Sequence, residues 1–402
     1  MPVQLQTHDP QREVNGLREK LGSDSRRLGF FIGSGTSMAV GLPGIVKLTT
    51  KVAAELDDAF KTQYNDIISM CTQPATVEDA LNKIRTIREL LTGNTKQFAG
   101  LNSLSAQELD SKVCDAISKI LSVPPPNGLK PHLVLARWIR HIRRDSPVEL
   151  FTTNYDLLLE RALEEVNVPF FDGFVGAVDP FFVQESVEAD LSEKTRDMLP
   201  PRGWTRLWKV HGSIGWRIKN VGGIKRIVRT SDMSGTNELI IHPSKDKYLD
   251  SRKLPFMTYL DRLRNFLNTG ECLLVIVGYS FRDEHLNATI FDALRSNNRL
   301  AVIVLSFAEP DAHVLSCSQE LHNLCLLGPK TACIGGVHYP WAAPTQQPSS
   351  FDQTLYWDST KKEFTLGDFN HFAAFLDKTV NPGQVITTTI AAATATAPAA
   401  LP

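Results

Sequence analysis

The chain has 402 residues, 42% hydrophobic and 22% charged, enough for a full core and two or three substructures. Its 43 Lys and Arg against 44 Asp and Glu leave a formal net charge of -1, so bulk electrostatics give no reason to expect direct nucleic-acid binding or attraction to an anionic membrane. The first ten residues carry Gln, His and Asp where a secretory signal needs an apolar core, and no apolar run reaches membrane-spanning length; the expectation is a cytoplasmic protein with no membrane partner.

In chain order, residues 9 to 25 read as a short helix with Val14, Leu17 and Leu21 at helical spacing. Leu28 to Ile32 then has the short, bounded apolar character of a buried parallel strand, and it breaks into Gly33-Ser34-Gly35-Thr36-Ser37. The two glycines free the backbone for close approach to something flat or charged, and Ser34, Thr36 and Ser37 add hydroxyl donors, as a phosphate cradle needs. Leu42-Pro43-Gly44 makes a turn, so the next helix is delayed to Val46–Phe60. From 61 to 145 the pattern is helical throughout, with a start signal at Thr76 before Glu78 and Asp79 and an arginine-rich amphipathic segment at His132–Arg144 that reads as a surface helix.

Val148 to Thr152 is a second strand, ending in Thr153-Asn154-Tyr155-Asp156 before a helix over Leu157–Val166. Residues 170 to 203 read as loops with one helix near Val187–Met198. Thr205–Val210 is a strand running into His211-Gly212-Ser213, followed by hairpin-like segments around Trp216–Val228 and Glu238–Ile241. A helix over Lys253–Leu267 leads to the most apolar strand, Cys272–Val277, which ends at Gly278-Tyr279-Ser280; a helix from Glu284 and a strand at Leu300–Phe307 follow. Strand, small-residue loop and helix recurring in this way predict an α/β fold, an open and mostly parallel sheet with helices on both faces and a helical insertion. The organisation expected is an N-terminal helix (1–27), a catalytic domain (28–330) carrying the insertion 61–145, a C-terminal extension of loops with one amphipathic piece at Phe369–Leu376 (331–378) and an uncharged Thr/Ala/Pro tail (379–402).

The dinucleotide fingerprint would need a third glycine at Met38, and the phosphate-loop pattern a lysine where Leu42 stands, so neither fits. Taken together, however, Gly33-Ser34-Gly35-Thr36-Ser37, Gly41-Leu42-Pro43, Thr152-Thr153-Asn154-Tyr155-Asp156, Lys209-Val210-His211-Gly212-Ser213 and Gly278-Tyr279-Ser280 resemble, in order, the NAD-binding blocks of the sirtuin superfamily. More narrowly the chain resembles the sirtuin-like NAD hydrolases of bacterial antiphage defence.

That resemblance implies a Rossmann-like domain acting on NAD+ as substrate. It implies Asn154 and His211 as the catalytic pair, with Gly33, Ser34, Gly35, Thr36, Ser37, Asp156, Gly278 and Ser280 in contact with NAD+. The residue types suit the chemistry. Breaking the bond between ribose and nicotinamide passes through an oxocarbenium-like state whose leaving group is already cationic, so what helps is a base for a ribose hydroxyl or water and a polar group that fixes that water. Other readings stand beside these: Asp156 equally reads as a helix cap, Asp283 as the cap of the next helix, and His285 as a surface residue.

Sirtuin deacylases also carry a zinc module with two Cys-x-x-Cys pairs, which this sequence lacks; its six cysteines are scattered and read as free thiols. His313, Cys317, His322, Cys325, Cys333 and His338 match no standard metal spacing, so no metal is expected. The activity expected is NAD+ cleavage to nicotinamide and ADP-ribose. The alternatives are a sirtuin-type protein deacylase, an ADP-ribosyltransferase, or a non-catalytic NAD- or ADP-ribose-binding subunit. An unrestrained NAD hydrolase would deplete its own cell, so control is expected from homo-oligomeric assembly or from a partner; the resemblance implies a HerA-like hexameric ATPase in that role.

Overall fold

A computed structural model describes residues 6–188, 200–231, 239–241, 255–344 and 352–380. Helix α1 (Pro10–Gly22) starts where the Asp9 carboxylate accepts the Gln11 N–H at 2.9 Å, and it buries Val14, Leu17 and Leu21. Strand β1 (Arg27–Ile32) follows, buried from its second residue onward. A short helix, α2 (Ser34–Ala39), begins at once after Gly33. The sequence led us to expect a delay; the Pro43-Gly44 turn instead separates two helices, α2 and α3 (Ile45–Glu55).

Helices α3, α4 (Asp58–Ser69), α5 (Val77–Leu91) and α6 (Ser103–Ser122) pack around a core of their own that includes Leu48, Val52, Tyr64, Ile67, Ile84 and Ile117. The α5 start signal is a capping box in which Asp79 accepts the Thr76 N–H at 2.9 Å. Between α5 and α6 the Asp110 carboxylate takes Arg85 in a two-pronged contact at 3.0 and 3.1 Å, with Arg88 at 3.3 Å.

Helix α7 (Lys130–His141) leads to β2 (Glu149–Thr152), α8 (Leu158–Glu165), β3 (Phe170–Phe171), β4 (Phe174–Val175), β5 (Phe181–Phe182) and α9 (Gln184–Glu188). The helix expected near Val187–Met198 runs into residues 189–199, outside those described. Next come β6 (Thr205–Lys209), the hairpin β7 (Gly212–Val221) and β8 (Ile224–Arg229), β9 (Leu239–Ile241), α10 (Phe256–Asn268), β10 (Cys272–Val277), α11 (Glu284–Ser296) and β11 (Leu300–Leu305).

The sheet does not stop at β11. Helix α12 (Ala312–Glu320) returns the chain to a further parallel strand, β12 (Leu324–Leu327), and an antiparallel hairpin, β13 (Thr331–Ile334) and β14 (Val337–Pro340), completes that edge. The residues beyond 330, which read as loops, are therefore partly strand: their short alternating segments find partners only across chain distances that a local reading does not see. A two-stranded ribbon, β15 (Trp357–Asp358) with β16 (Glu363–Phe364), precedes α13 (Phe369–Val380). Residues 379 and 380 close this helix, where Thr379 accepts the Trp138 indole N–H at 2.8 Å. The rest of the expected tail lies outside the described residues.

Nine strands form the main sheet in the order β14-β13-β12-β11-β10-β1-β2-β6-β3, parallel from β12 to β3. Strand alternation divides β1 between two cores. Leu28, Phe30 and Ile32 face α1, α7, α8 and α13, while Phe31 faces α10, α11 and α12. This is a Rossmann-like α/β architecture. A smaller antiparallel sheet, β4-β5-β8-β7-β9, leans beside it. Among the described residues no helix is long and apolar enough to cross a membrane.

Candidate active site

Sheet order decides where the polar loops meet. The chain moves outward from β1 through β2 to β6 on one side, then resumes on the other side at β10. The switch point lies between β1 and β10, where open parallel sheets receive their ligands at the carboxyl ends of the strands. Strands β10, β1, β2 and β6 are neighbours, so the loops at Gly278, Gly33, Thr153 and Val210 stand in one row.

The close approach allowed by the glycines is first of all to each other. Gly33 N–H donates to Val277 O and Gly35 N–H to Gly278 O, each at 2.9 Å. A Cβ on Gly33 would fall 2.3 Å from Gly278 O, and Gly278 itself has φ +68, which favours glycine. These residues dock the β1 and β10 loops backbone to backbone.

Asn154 sits 8% exposed above that contact. Its Nδ2 lies 3.1 Å from Gly33 O, 3.0 Å from Ser37 Oγ and 3.3 Å from Thr36 Oγ1, and its own N–H donates to Thr152 Oγ1 at 3.0 Å. The amide nitrogen is thereby fixed, and Oδ1 remains buried without a hydrogen-bond partner. A buried acceptor left unpaired costs about 1–3 kcal/mol, a cost that a water or a ligand hydroxyl donating to Oδ1 would remove.

Thr36 and Ser37 are less available than the sequence suggested. The Thr36 hydroxyl donates to Gly33 O at 2.9 Å and the Ser37 hydroxyl to Asp156 Oδ2 at 2.6 Å. Their hydroxyl hydrogens are used within the protein, holding the loop that carries Asn154. Asp156, 6% exposed, combines that bond with a cap on α8, where Oδ1 accepts the Leu158 N–H at 3.1 Å. Ser34 and Ser280 lie exposed at the rim.

His211 follows β6 directly, and its Nε2 is 3.0 Å from Asp283 Oδ2. Asp283 also caps α11, its Oδ1 accepting the N–H groups of His285 at 2.9 Å and Leu286 at 3.0 Å. Burial works to raise the Asp283 carboxyl, but the hydrogen bond and charge of His211 and the two α11 N–H groups outweigh it and bring it down to about 2. The sequence reading of Asp283 stopped at the cap, because a cap uses one carboxylate oxygen and the partner of the other lies 72 positions away in the chain. His285 is exposed on α11.

Three further groups have roles that the sequence did not show, although Lys209 and Tyr155 stand in the blocks quoted above. Lys209, almost wholly buried, donates to the Asp156 carbonyl and pairs with Glu160 at 2.9 Å, tying β6 to the Asn154 loop. The Tyr155 hydroxyl donates to Glu78, so the loop is also tied to the helical insertion. His132, 1% exposed on α7 against Phe369, is pushed down to about 4 by burial, with Asp156 pulling the other way. For Lys209, a basic residue closing an apolar strand was the available signal. For the other two, no local pattern existed.

Among the described residues no group of three or more His, Cys, Asp or Glu side chains could hold a metal ion. The downstream His and Cys residues are spread over α12 and the β12–β14 edge: His313 neighbours Cys317 on α12 at 3.9 Å, His322 Nδ1 meets Gly335 O at 2.9 Å, and His338 stands opposite Cys333 in the β13–β14 register. None of the six cysteines is joined in a disulfide.

Fold and crevice together define a Rossmann-like α/β protein whose buried polar side chains gather at the topological switch point. A family model described as a SIR2-like domain matches residues 148–325, which supports a place in the sirtuin-like superfamily. The matched segment runs from the start of β2 into β12 and includes Asn154, His211, Gly278 and Asp283, whereas β1 and its loop precede it. No curated protein matches the chain.

Proposed function

We propose that the protein is an NAD+ glycohydrolase, releasing nicotinamide and ADP-ribose at the crevice between Asn154 and His211. SIR2-like domains act on NAD+, and that supports NAD+ as the substrate. The observation that carries the reading is Asn154: its nitrogen is anchored on the β1 loop and its buried Oδ1 has no partner, so it offers one fixed acceptor to a water or ribose hydroxyl.

In the proposed reaction the C1′–N bond to nicotinamide breaks, and the electron pair leaves with the nitrogen, which becomes neutral. Water adds its oxygen to C1′, and His211 takes the proton from that water or from a ribose hydroxyl before passing it to solvent. Asn154 positions the oxygen, and the row of buried loops limits access of bulk water. Activity on NAD+ in this chemistry suits an antiphage effector that depletes the nucleotide. Gating then falls to homo-oligomeric assembly or to a HerA-like hexameric ATPase.

The test is purified protein with NAD+, alone and with a candidate ATPase, following nicotinamide release for wild type, Asn154→Ala and His211→Ala. Release by wild type and its loss in both variants is the expected result. No release by wild type under either condition rejects the hydrolase, and release that needs an acylated peptide transfers the protein to the deacylases.

A further inference from the structure

We infer that Asp283 is a positioning residue that holds His211 as the Nε2–H tautomer and so makes Nδ1 the atom that accepts the proton. The inference deepens the proposed NAD+ hydrolase and rests on it for its catalytic meaning.

His211 follows β6 and Asp283 follows β10, and β1 and β2 stand between those two strands. Three strand spacings of about 4.8 Å separate them. The 3.0 Å contact from His211 Nε2 to Asp283 Oδ2 therefore arches over the carboxyl ends of β1 and β2, above the loop that carries Asn154.

The carboxylate is rigidly aimed. Its Oδ1 is fixed by the N–H groups of His285 and Leu286, the second and third residues of α11, and the Tyr279 hydroxyl points to the Asp283 carbonyl at 3.4 Å and to Asn287 Oδ1 at 3.0 Å. A carboxylate that already takes two backbone N–H groups and stays ionised can only accept from the imidazole, so Nε2 must carry hydrogen. One proton on a neutral ring leaves Nδ1 as the acceptor, and the charge formed when Nδ1 is protonated lies beside an anion. The other ionisable groups facing the pair are Tyr279 on the β10 loop and Tyr155, whose hydroxyl is held by Glu78 of α5. Arg282 beside the pair is exposed. Neither tyrosine is a charged competitor for His211, because burial, the first cause in each, pushes both hydroxyls up.

Asp283→Asn separates positioning from structure. Asparagine keeps the α11 cap, since Asn and Asp cap equally well, but its amide can donate to Nε2 and impose the other tautomer. Asp283→Ser also keeps a cap and removes the reach to His211. Full-length protein with 15N-labelled histidine is measured by long-range 15N–1H NMR, with His211→Gln to assign the signal, beside nicotinamide-release kinetics. In wild type, His211 is expected to show the Nε2–H pattern. In Asp283→Asn the pattern should switch or mix, kcat should fall about 10²-fold with KM within about threefold of wild type, and the melting temperature should hold.

An Nδ1–H pattern in wild type overturns the inference. So does an unchanged kcat in Asp283→Asn, or a melting-temperature loss with kcat per folded molecule preserved. Wild-type protein that shows the Nε2–H pattern but releases no nicotinamide sinks the hydrolase reading and leaves the dyad standing, so the two failures are distinct.

Discussion

Strand β2 begins at Glu149 and ends at Thr152, and a buried polar cluster sits at each end. At the amino end, Glu149 receives Arg262 at 2.8 and 2.9 Å, Arg27 at 3.1 Å and the Trp208 indole N–H at 2.8 Å, so both carboxylate oxygens are occupied. At the carboxyl end, Asn154 is held as firmly by its nitrogen, yet its oxygen is bonded to nothing. Glu149 and Asn154 are both buried and lie five positions apart in the chain, but one cluster is closed on itself and the other keeps an acceptor unpaired. Burial alone does not mark a site; a buried group prepared for a partner from outside does.

The sharpest way to break this comparison is to remove the base from the open cluster. His211→Ala should lower kcat for nicotinamide release about 10²–10⁴-fold while KM and melting temperature stay near wild type. Steady-state kinetics with a thermal melt read both, and a collapse of the melt with normal turnover would move His211 to the structural side.

Glu149→Ala should do the reverse. Removing one partner from a buried ion cluster costs about 3–5 kcal/mol, so the urea midpoint should fall steeply while kcat per folded molecule is kept. The same carboxylate sets an acid limit. Burial tends to raise it, but Arg262 first and then Arg27 and Trp208 lower it below its ordinary 4.5. Its stabilisation is thus complete above that value and is lost as pH falls through the lower folded-state value, a loss absent from Glu149→Gln.

His132 contributes an earlier limb. Folded, it protonates only near 4, against an ordinary 6.5. Between those values the unfolded chain binds the extra proton, so stability should fall by about 2 kcal/mol from pH 7 to pH 5. Urea unfolding at the two pH values checks this, and His132→Leu should flatten the difference. The mildest expected effect is Ser37→Ala. With the bridge from Asn154 to Asp156 gone, kcat should fall about tenfold as Asn154 loosens, with a smaller change in KM. A rise in KM alone would instead assign Ser37 to ligand binding, the role its sequence position first suggested.

What the sequence carried, and what it withheld, follow one division. Strands such as Cys272–Val277 and Phe30–Ile32 were legible because burial on both faces demands unbroken apolar runs. The small-residue loops after them were legible because parallel strands must end in turns. The edge hairpin β13–β14 was not, since β14 is half-buried or exposed, β13 buries only Ala332 and Cys333, and the pairing depends on β12. At the site, Asn154 and His211 could be named from their blocks, but the second oxygen of Asp283 and the buried hydrogen of Ser37 have partners 72 and 119 positions away. Hydrogen-bond partners at such separations leave no periodicity to read.

The central claim is tested most directly by nicotinamide release from NAD+ by Asn154→Ala, per mole of folded protein, measured beside wild type. An acceptor that positions the reacting oxygen should be worth about 10²-fold or more, so release should fall at least that far with the melting temperature retained. Release equal to wild type would contradict the account, because the unpaired oxygen of Asn154 would then have no part in cutting NAD+.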